Sequence, residues 1–150
     1  MFDDLRDLYQ EVILDHGRRP RHGSRLAAFD ASAKGDNPMC GDRVQVFVRH
    51  DPDGRIAEAG FEARGCAISV ASADLMAEVV AGRSDAEIHA LAAEFGKMVR
   101  SGESSSDDAA IERLRPLAGV HEYPSRVKCA TLAWHALLAA LDGKGGATSE

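Results

Sequence analysis

The stretch 44–63, VQVFVRHDPDGRIAEAGFEA, decides the fold that we expect for this chain. From 44 to 49, valine occupies every second position, which is the period of a β-strand whose two faces differ. The segment 50–54, HDPDG, carries the Pro and Asp-Gly chemistry of a turn. Residues 56–63 then resume an extended pattern, with Phe61 as the largest apolar residue. The stretch therefore predicts an antiparallel β-hairpin.

Helical patterns surround this hairpin. Apolar residues recur at helical spacing over 5–13, behind Asp3 and Asp4, and predict an amphipathic N-terminal helix. A short strand is expected within 26–34. Further helices are predicted at 69–82 with Ser69 or Ser72 as the cap, and at 84–100, where Ser84 and Glu87 have the form of a capping box. A short helix at 108–117 is expected to have Asp107 or Asp108 as its cap, and the helix at 125–141 has one broad apolar stripe. This order predicts an α+β domain in which a small antiparallel β-sheet packs against several α-helices on one side.

Length and composition set the expected domain organisation. The chain has 150 residues with 45% hydrophobic content, which suits one core and is short for two domains. We expect a single domain over 1–150, with a solvated loop at 100–108, RSGESSSDD. The tail over about 143–150, GKGGATSE, is expected to be disordered.

The charge balance argues against two classes of partner. The chain has 24 acidic residues against 18 Lys and Arg, which lacks the basic excess that nucleic acid or anionic lipid requires. No apolar run approaches the ~18 residues of a membrane span, and MFDDLRDLYQ at 1–10 has acids where a signal peptide has a basic region. We therefore expect a cytoplasmic protein with protein or small-ion partners, and neither nucleic acid nor membrane.

Three cysteines at the ends of predicted elements are the candidate functional residues. Cys40 precedes the hairpin, Cys66 follows it, and Cys129 lies in the first or second turn of the last helix. Antiparallel pairing brings the first two to one end of the sheet, and an odd count at low density argues against disulfides. Gly41 permits a sharp turn between Cys40 and Asp42. Three thiolates and this carboxylate would suit zinc, and thiolate-rich sites also suit iron-sulfur clusters.

Spacing alone leaves the role of these residues open. Intervals of 26 and 63 residues are unlike a CxxC pair, so three small buried cysteines stay an alternative to a metal site. No Ser/His/Asp set, phosphate loop or pair of carboxylates across a cleft is recognisable. The histidines are expected to be solvated or structural rather than ligands: solvated at His16, His22, His50 and His89, and surface or structural at His121 and His135.

Three segments around the cysteines carry a family resemblance. They read NPMCGD at 37–42, FEARGCAISVASADLM at 61–76 and YPSRVKCATLAWHAL at 123–137. In order and spacing along nearly the whole chain, they resemble the U-type iron-sulfur cluster assembly proteins, the IscU, NifU and SufU family. The resemblance implies an IscU-like fold and a shared site at Cys40, Asp42, Cys66 and Cys129.

Within that family, the chain is similar to the SufU branch. The scaffold branch typically has His immediately before the last cysteine, whereas this chain has Lys128. The scaffold branch also carries a Leu-Pro-Pro-Val-Lys motif that a chaperone reads, whereas the corresponding stretch here is EYPSR at 122–126. Lys128, Arg126 and an additional segment over about 96–118 look like SufU instead.

The SufU resemblance implies sulfur transfer. Zinc would be held by the four residues of the shared site, and the protein would accept sulfur from a pyridoxal-phosphate cysteine desulfurase of the SufS type. On docking, a partner side chain would take over one zinc position and release Cys40, whose thiolate then attacks the desulfurase persulfide. Arg126 is expected near the site, where it pairs with Asp42 or guides the partner. Downstream cluster assembly proteins would follow in the pathway.

Two alternatives stay open at this point. In one, the protein is a scaffold on which a transient iron-sulfur cluster is built on the three cysteines and passed to apo-proteins. In the other, it is a structural zinc domain without sulfur chemistry.

Overall fold

The fold is a four-stranded sheet with five α-helices, seen in a computed structural model that describes residues 2–38 and 41–148, and side chains within 9–38 and 41–146. The helices are α1 (Phe2–Arg18), α2 (Ala67–Val79), α3 (Asp85–Ser101), α4 (Ala109–Leu114) and α5 (Pro124–Leu141), with a 3-10 helix at Arg115–Glu122. The strands are β1 (Ala31–Asn37), β2 (Asp42–His50), β3 (Ile56–Arg64) and β4 (Gly146–Thr148). Their order in the sheet is β3-β2-β1-β4. The predicted α+β class is confirmed.

The predicted hairpin forms the centre of the sheet. β2 and β3 pair antiparallel, with Val46 opposite Phe61 and Arg43 opposite Arg64. Val44, Val46 and Phe61 are buried beneath α2 and α5, which pack against the hairpin. Because side chains alternate along a strand, Phe47 points to the opposite face. This alternation separates the helix-covered face from the second face of the sheet.

The second face of the sheet is covered by the chain that precedes β1. The Phe29 ring lies 5.0 Å from that of Phe47 in an edge-to-face contact, and the Arg25 guanidinium lies 5.3 Å from the Phe47 ring centre. The strand expected within 26–34 begins later, at Ala31, because Leu26 and Phe29 cover this apolar face instead.

Two further expectations differ from the structure. The predicted disordered tail contains β4, which pairs parallel with β1; Gly143 turns the chain back with φ 76°, and the Lys34 N–H donates to the Gly145 carbonyl at 3.0 Å. The edge of β1 offers backbone groups that this pairing satisfies. The expected serine caps of α2 are wrong, because the N-cap is Cys66 and both serines are buried inside the helix.

Other helix boundaries follow the sequence closely. Ser84 and Glu87 form the predicted capping box at the start of α3, with each side chain accepting from the other residue's backbone N–H. Asp108 caps α4, as expected of Asp107 or Asp108, by accepting from the Ala110 N–H at 2.8 Å. On α5, Trp134 stacks on Phe95 of α3 with ring centres 4.9 Å apart. This stack joins α5 to α3, while α5 also packs on β1 and β2, with Cys129 in its second turn.

Candidate metal centre

Three elements bring a carboxylate and two thiols to one end of the sheet. Asp42 is the first residue of β2, Cys66 is the N-cap of α2, and Cys129 lies in the second turn of α5. The β2–β3 register explains the first pairing, because Arg43 and Arg64 stand opposite each other just inside Asp42 and Cys66. Cys129 reaches this end of the sheet only because α5 packs across the sheet and α2.

The three side chains lie within reach of one ion. One carboxylate oxygen and the two sulfurs all lie within 4.8 Å of one another. The Cys66 thiol faces Asp42 Oδ2 at 3.8 Å, and the Cys66 backbone N–H donates to Oδ1 at 3.3 Å. Asp42 is only 4% exposed and Cys129 only 5%, whereas Cys66 is half-buried. Two of the three candidate ligands are therefore shielded from solvent.

Two glycines shape this arrangement. Gly41, before Asp42, has φ 78°, a left-handed conformation that favours glycine, and its N–H donates to the Asn37 carbonyl at 2.8 Å. At Gly65 a Cβ would lie 2.4 Å from Asp42 Oδ1. The missing side chain at Gly65 is therefore what lets the carboxylate lie against the start of α2.

The electrostatics of the cluster favour a bound cation. Burial is the largest influence that raises the pKa of the Cys129 thiol well above its ordinary value, followed by the hydrogen bond with Asp42 and the charge of Cys66. Three groups that can each become anionic, Asp42, Cys66 and Cys129, therefore lie together in a site that is partly shielded from solvent. A divalent cation among them would reverse this influence and favour the thiolates.

The donor set fits zinc. In a tetrahedral site with Zn–S bonds of about 2.3 Å and Zn–O bonds of about 2.0–2.2 Å, neighbouring ligand atoms lie roughly 3.5–3.8 Å apart. The 3.8 Å between the Cys66 sulfur and the Asp42 oxygen matches this spacing. Two thiols and one carboxylate supply three of the four ligands that such a site needs. The predicted fourth ligand, Cys40, lies outside the described residues, and its neighbour Gly41 lines the cleft above the cluster.

An open cleft of about 540 Å³ leads to the cluster. Arg126 lines it, one helical turn before Cys129, but makes no ion pair with Asp42. Arg64 lines it from the end of β3. Sequence reasoning did not single out Arg64 or Gly65, although both immediately precede Cys66 and this proximity was the available signal.

His16 differs most clearly from its expected solvated state. His16 is 5% exposed and its Nδ1 bonds Asp74, a fully buried carboxylate on α2. Its Nε2 lies 3.1 Å from a guanidinium nitrogen of Arg113. Arginine can only donate, so Nε2 accepts and Nδ1 carries the proton. This bonded chain fastens α1 to α2, and Gly17 beside it packs directly on Ala67, the residue after Cys66.

The fold and this thiol-rich cluster together define a class of protein. A family model described as the NifU-like N-terminal domain matches residues 8–130. The chain belongs to the NifU-like N-terminal domain family.

Of two similar relatives, one is named as a scaffold protein and the other as a sulfurtransferase. The chain is 39% identical over 137 residues to the iron-sulfur cluster assembly scaffold protein IscU of Streptococcus pyogenes serotype M1, covering 91% of this chain and 84% of that protein. It is 35% identical over 134 residues to the zinc-dependent sulfurtransferase SufU of Bacillus subtilis (strain 168), covering 89% of each.

A solved structure supports the same fold. FiSufU from Fervidobacterium islandicum AW-1, provisionally assigned as an iron-sulfur cluster assembly scaffold of the SUF system, superposes with a TM-score of 0.79 at 29% identity. The match covers 87% of this chain and 94% of that one. The predicted IscU-like fold is therefore confirmed. Among the helices that the structure describes, none combines the length and apolar content that crossing a bilayer demands.

Proposed function

We propose that this protein is a zinc-dependent sulfur acceptor that takes persulfide sulfur from a cysteine desulfurase of the SufS type for iron-sulfur cluster assembly. The observation that carries the proposal is the convergence of Asp42, Cys66 and Cys129 within 4.8 Å at the base of an open cleft. Cys40 supplies the fourth ligand and the acceptor thiol. The similarity to a relative named as a zinc-dependent sulfurtransferase supports the zinc and the sulfur transfer.

Each residue has a distinct role in this proposal. Cys66 and Cys129 hold the metal from the start of α2 and the second turn of α5, and the burial of Cys129 keeps that thiol away from the incoming sulfur. Asp42 is the single oxygen ligand among sulfurs, fixed by the Cys66 N–H at 3.3 Å. Arg126 lies in the cleft wall, where it attracts the anionic persulfide. Bound zinc would keep the ligating thiols deprotonated at neutral pH.

Sulfur transfer itself needs only the acceptor thiolate and the partner's persulfide. The Cys40 thiolate attacks the terminal sulfur of the desulfurase persulfide and forms a new S–S bond. The original S–S bond breaks, and its electron pair leaves with the desulfurase cysteine as a thiolate. The product is a Cys40 persulfide, and no outside oxidant or reductant is consumed. Desulfurase residues would carry the pyridoxal phosphate.

A persulfide-transfer assay tests this function. Zinc-loaded protein is mixed with desulfurase and cysteine, and the sulfur on each thiol is located by mass spectrometry of alkylated peptides. Wild-type protein should accept sulfur on Cys40 and accelerate desulfurase turnover. Cys40→Ala should accept none while it keeps the fold, as circular dichroism would show. Full stimulation of turnover by Cys40→Ala would contradict the proposal.

A second function, an iron-sulfur scaffold, has its own support. Three cysteines are enough to ligate a cluster together with one further group, and the Streptococcus pyogenes relative is named as a scaffold. Anaerobic reconstitution separates the two functions. A visible chromophore that passes to an apo-acceptor favours the scaffold, whereas a stoichiometric zinc that iron does not replace favours sulfur transfer.

A further inference from the structure

A buried hydrogen bond joins the two helices that carry the thiols. Ser72 of α2 is fully buried, and its hydroxyl donates to the backbone carbonyl of Ala130 in α5 at 2.5 Å. Ala130 directly follows Cys129, and α2 begins directly after its N-cap, Cys66. Along α2, Ser72 lies less than two turns from Cys66, a rise of about 9 Å. The bond therefore connects the two thiol-bearing elements close to the metal centre.

The two helices lie close together at this bond. A serine side chain is short, so its hydroxyl reaches a backbone carbonyl only where two helix backbones come near each other. Small residues allow this approach, because Ala71 and Ala73 beside Ser72, and Ala133 one turn after Ala130, are all buried. A backbone carbonyl has two lone pairs, so that of Ala130 can accept from Ser72 and still accept an N–H of its own helix.

Cys66 and Cys129 reach the metal centre from two elements whose relative position must be fixed. The Cys66 backbone N–H donates to Asp42 Oδ1 at 3.3 Å, which ties the start of α2 to β2. Cys129 arrives on α5, which packs on α2 and the sheet. Apolar contacts between alanine side chains have no preferred direction, whereas a hydrogen bond restricts both distance and angle. The bond from Ser72 therefore limits how far α5 can slide along α2.

We infer that Ser72 is a positioning residue for the metal centre, because it holds α5 against α2 so that Cys66 and Cys129 face the same ion. The inference rests on the proposed function, which includes the zinc, and it adds a residue that is not itself a ligand. Metal–ligand distances tolerate changes of only about 0.2 Å, so a small slide of α5 along α2 weakens binding. Loss of a residue that supports a ligand typically lowers metal affinity about 10- to 100-fold.

Zinc affinity of Ser72 variants, measured by competition with a chelator of known affinity, tests this role. Ser72→Ala removes the hydroxyl and should lower zinc affinity about tenfold or more, while circular dichroism shows an unchanged fold. Bound cobalt(II), used as a visible probe of ligand geometry, should show a weakened or shifted absorption in the same variant. Ser84→Ala is the matched control, because it removes a serine hydrogen bond to Glu87 at the opposite end of the sheet. This control should lose stability yet keep the zinc affinity and the cobalt spectrum of wild type.

A second pair of variants separates the hydroxyl from the volume of the side chain. Ser72→Thr and Ser72→Val add nearly the same bulk, but only threonine keeps a hydroxyl that can donate to the Ala130 carbonyl. Ser72→Thr should therefore bind zinc more tightly than Ser72→Val. This pair decides the matter if Ser72→Ala fails to fold.

Other results contradict the positioning role or the proposed function separately. Equal zinc affinity in wild type and folded Ser72→Ala overturns the positioning role, and so does equal affinity in the threonine and valine variants. An equal loss of affinity in Ser84→Ala overturns it as well, since the effect would then follow from stability alone. A wild-type protein that binds zinc tightly but accepts no sulfur contradicts the proposed function and leaves the role of Ser72 in place.

Discussion

Replacing Gly65 with alanine should weaken zinc binding without unfolding the protein. An alanine Cβ would lie 2.4 Å from Asp42 Oδ1 and 2.7 Å from its carboxyl carbon, where real Cβ atoms almost never come within 3.0 Å. The carboxylate must therefore retreat by at least about 0.6 Å, against the tolerance of about 0.2 Å in metal–ligand distances. We expect zinc affinity to fall roughly 10- to 100-fold, as for loss of a group that orients a ligand.

Competition with a chelator of known zinc affinity measures this change. Far-ultraviolet circular dichroism of the same sample reports whether the fold persists. Gly119→Ala is the matched control, because a Cβ at Gly119 would have no heavy atom within 4 Å. Wild-type zinc affinity in a folded Gly65→Ala variant would refute the reasoning, since it would mean that Asp42 does not ligate the metal from its observed position.

Three further predictions concern stability. Burial by itself lowers the pKa of His50, but hydrogen bonds to Asp85 and Asp30 raise that pKa above its ordinary value. The contribution of His50 to the free energy of unfolding is therefore full below the unfolded pKa of about 6.5, and it is lost as pH rises through the folded pKa. Urea unfolding should therefore show a larger loss for His50→Gln at acidic than at alkaline pH; an equal loss would contradict the assignment. Ser84→Ala removes the capping box with Glu87 and should lower the free energy of unfolding by about 1 kcal/mol, with an unchanged urea midpoint as the contrary result. Chelation of the metal should lower Tm, and zinc at about 100 times its Kd should restore about 2.7 kcal/mol; a metal-independent Tm would show that the cluster does not bind zinc in the folded state.

Local patterns in the sequence determined most of the elements. Valine alternation from 44 to 49 and the HDPDG turn are enough to define the hairpin, because strand period and turn chemistry act over a few residues. The Ser84 capping box and the apolar stripe of α5 are local in the same sense. The sequence also provided the candidate ligands, although their spacing left their role open until the three motifs were taken together.

The tertiary structure decided which of those residues meet. Asp42 and Cys66 are 24 residues apart and meet because the hairpin register aligns their strand ends. Cys129 joins them because α5 packs across the sheet, a contact whose driving force is burial of a whole helix face rather than any local motif. The need for glycine at 65 and the buried bond between His16 and Asp74 likewise exist only after packing, since each depends on a side chain that is distant in sequence. The sequence by itself therefore determined which ligand groups are available, and tertiary packing decided which of those groups lie together.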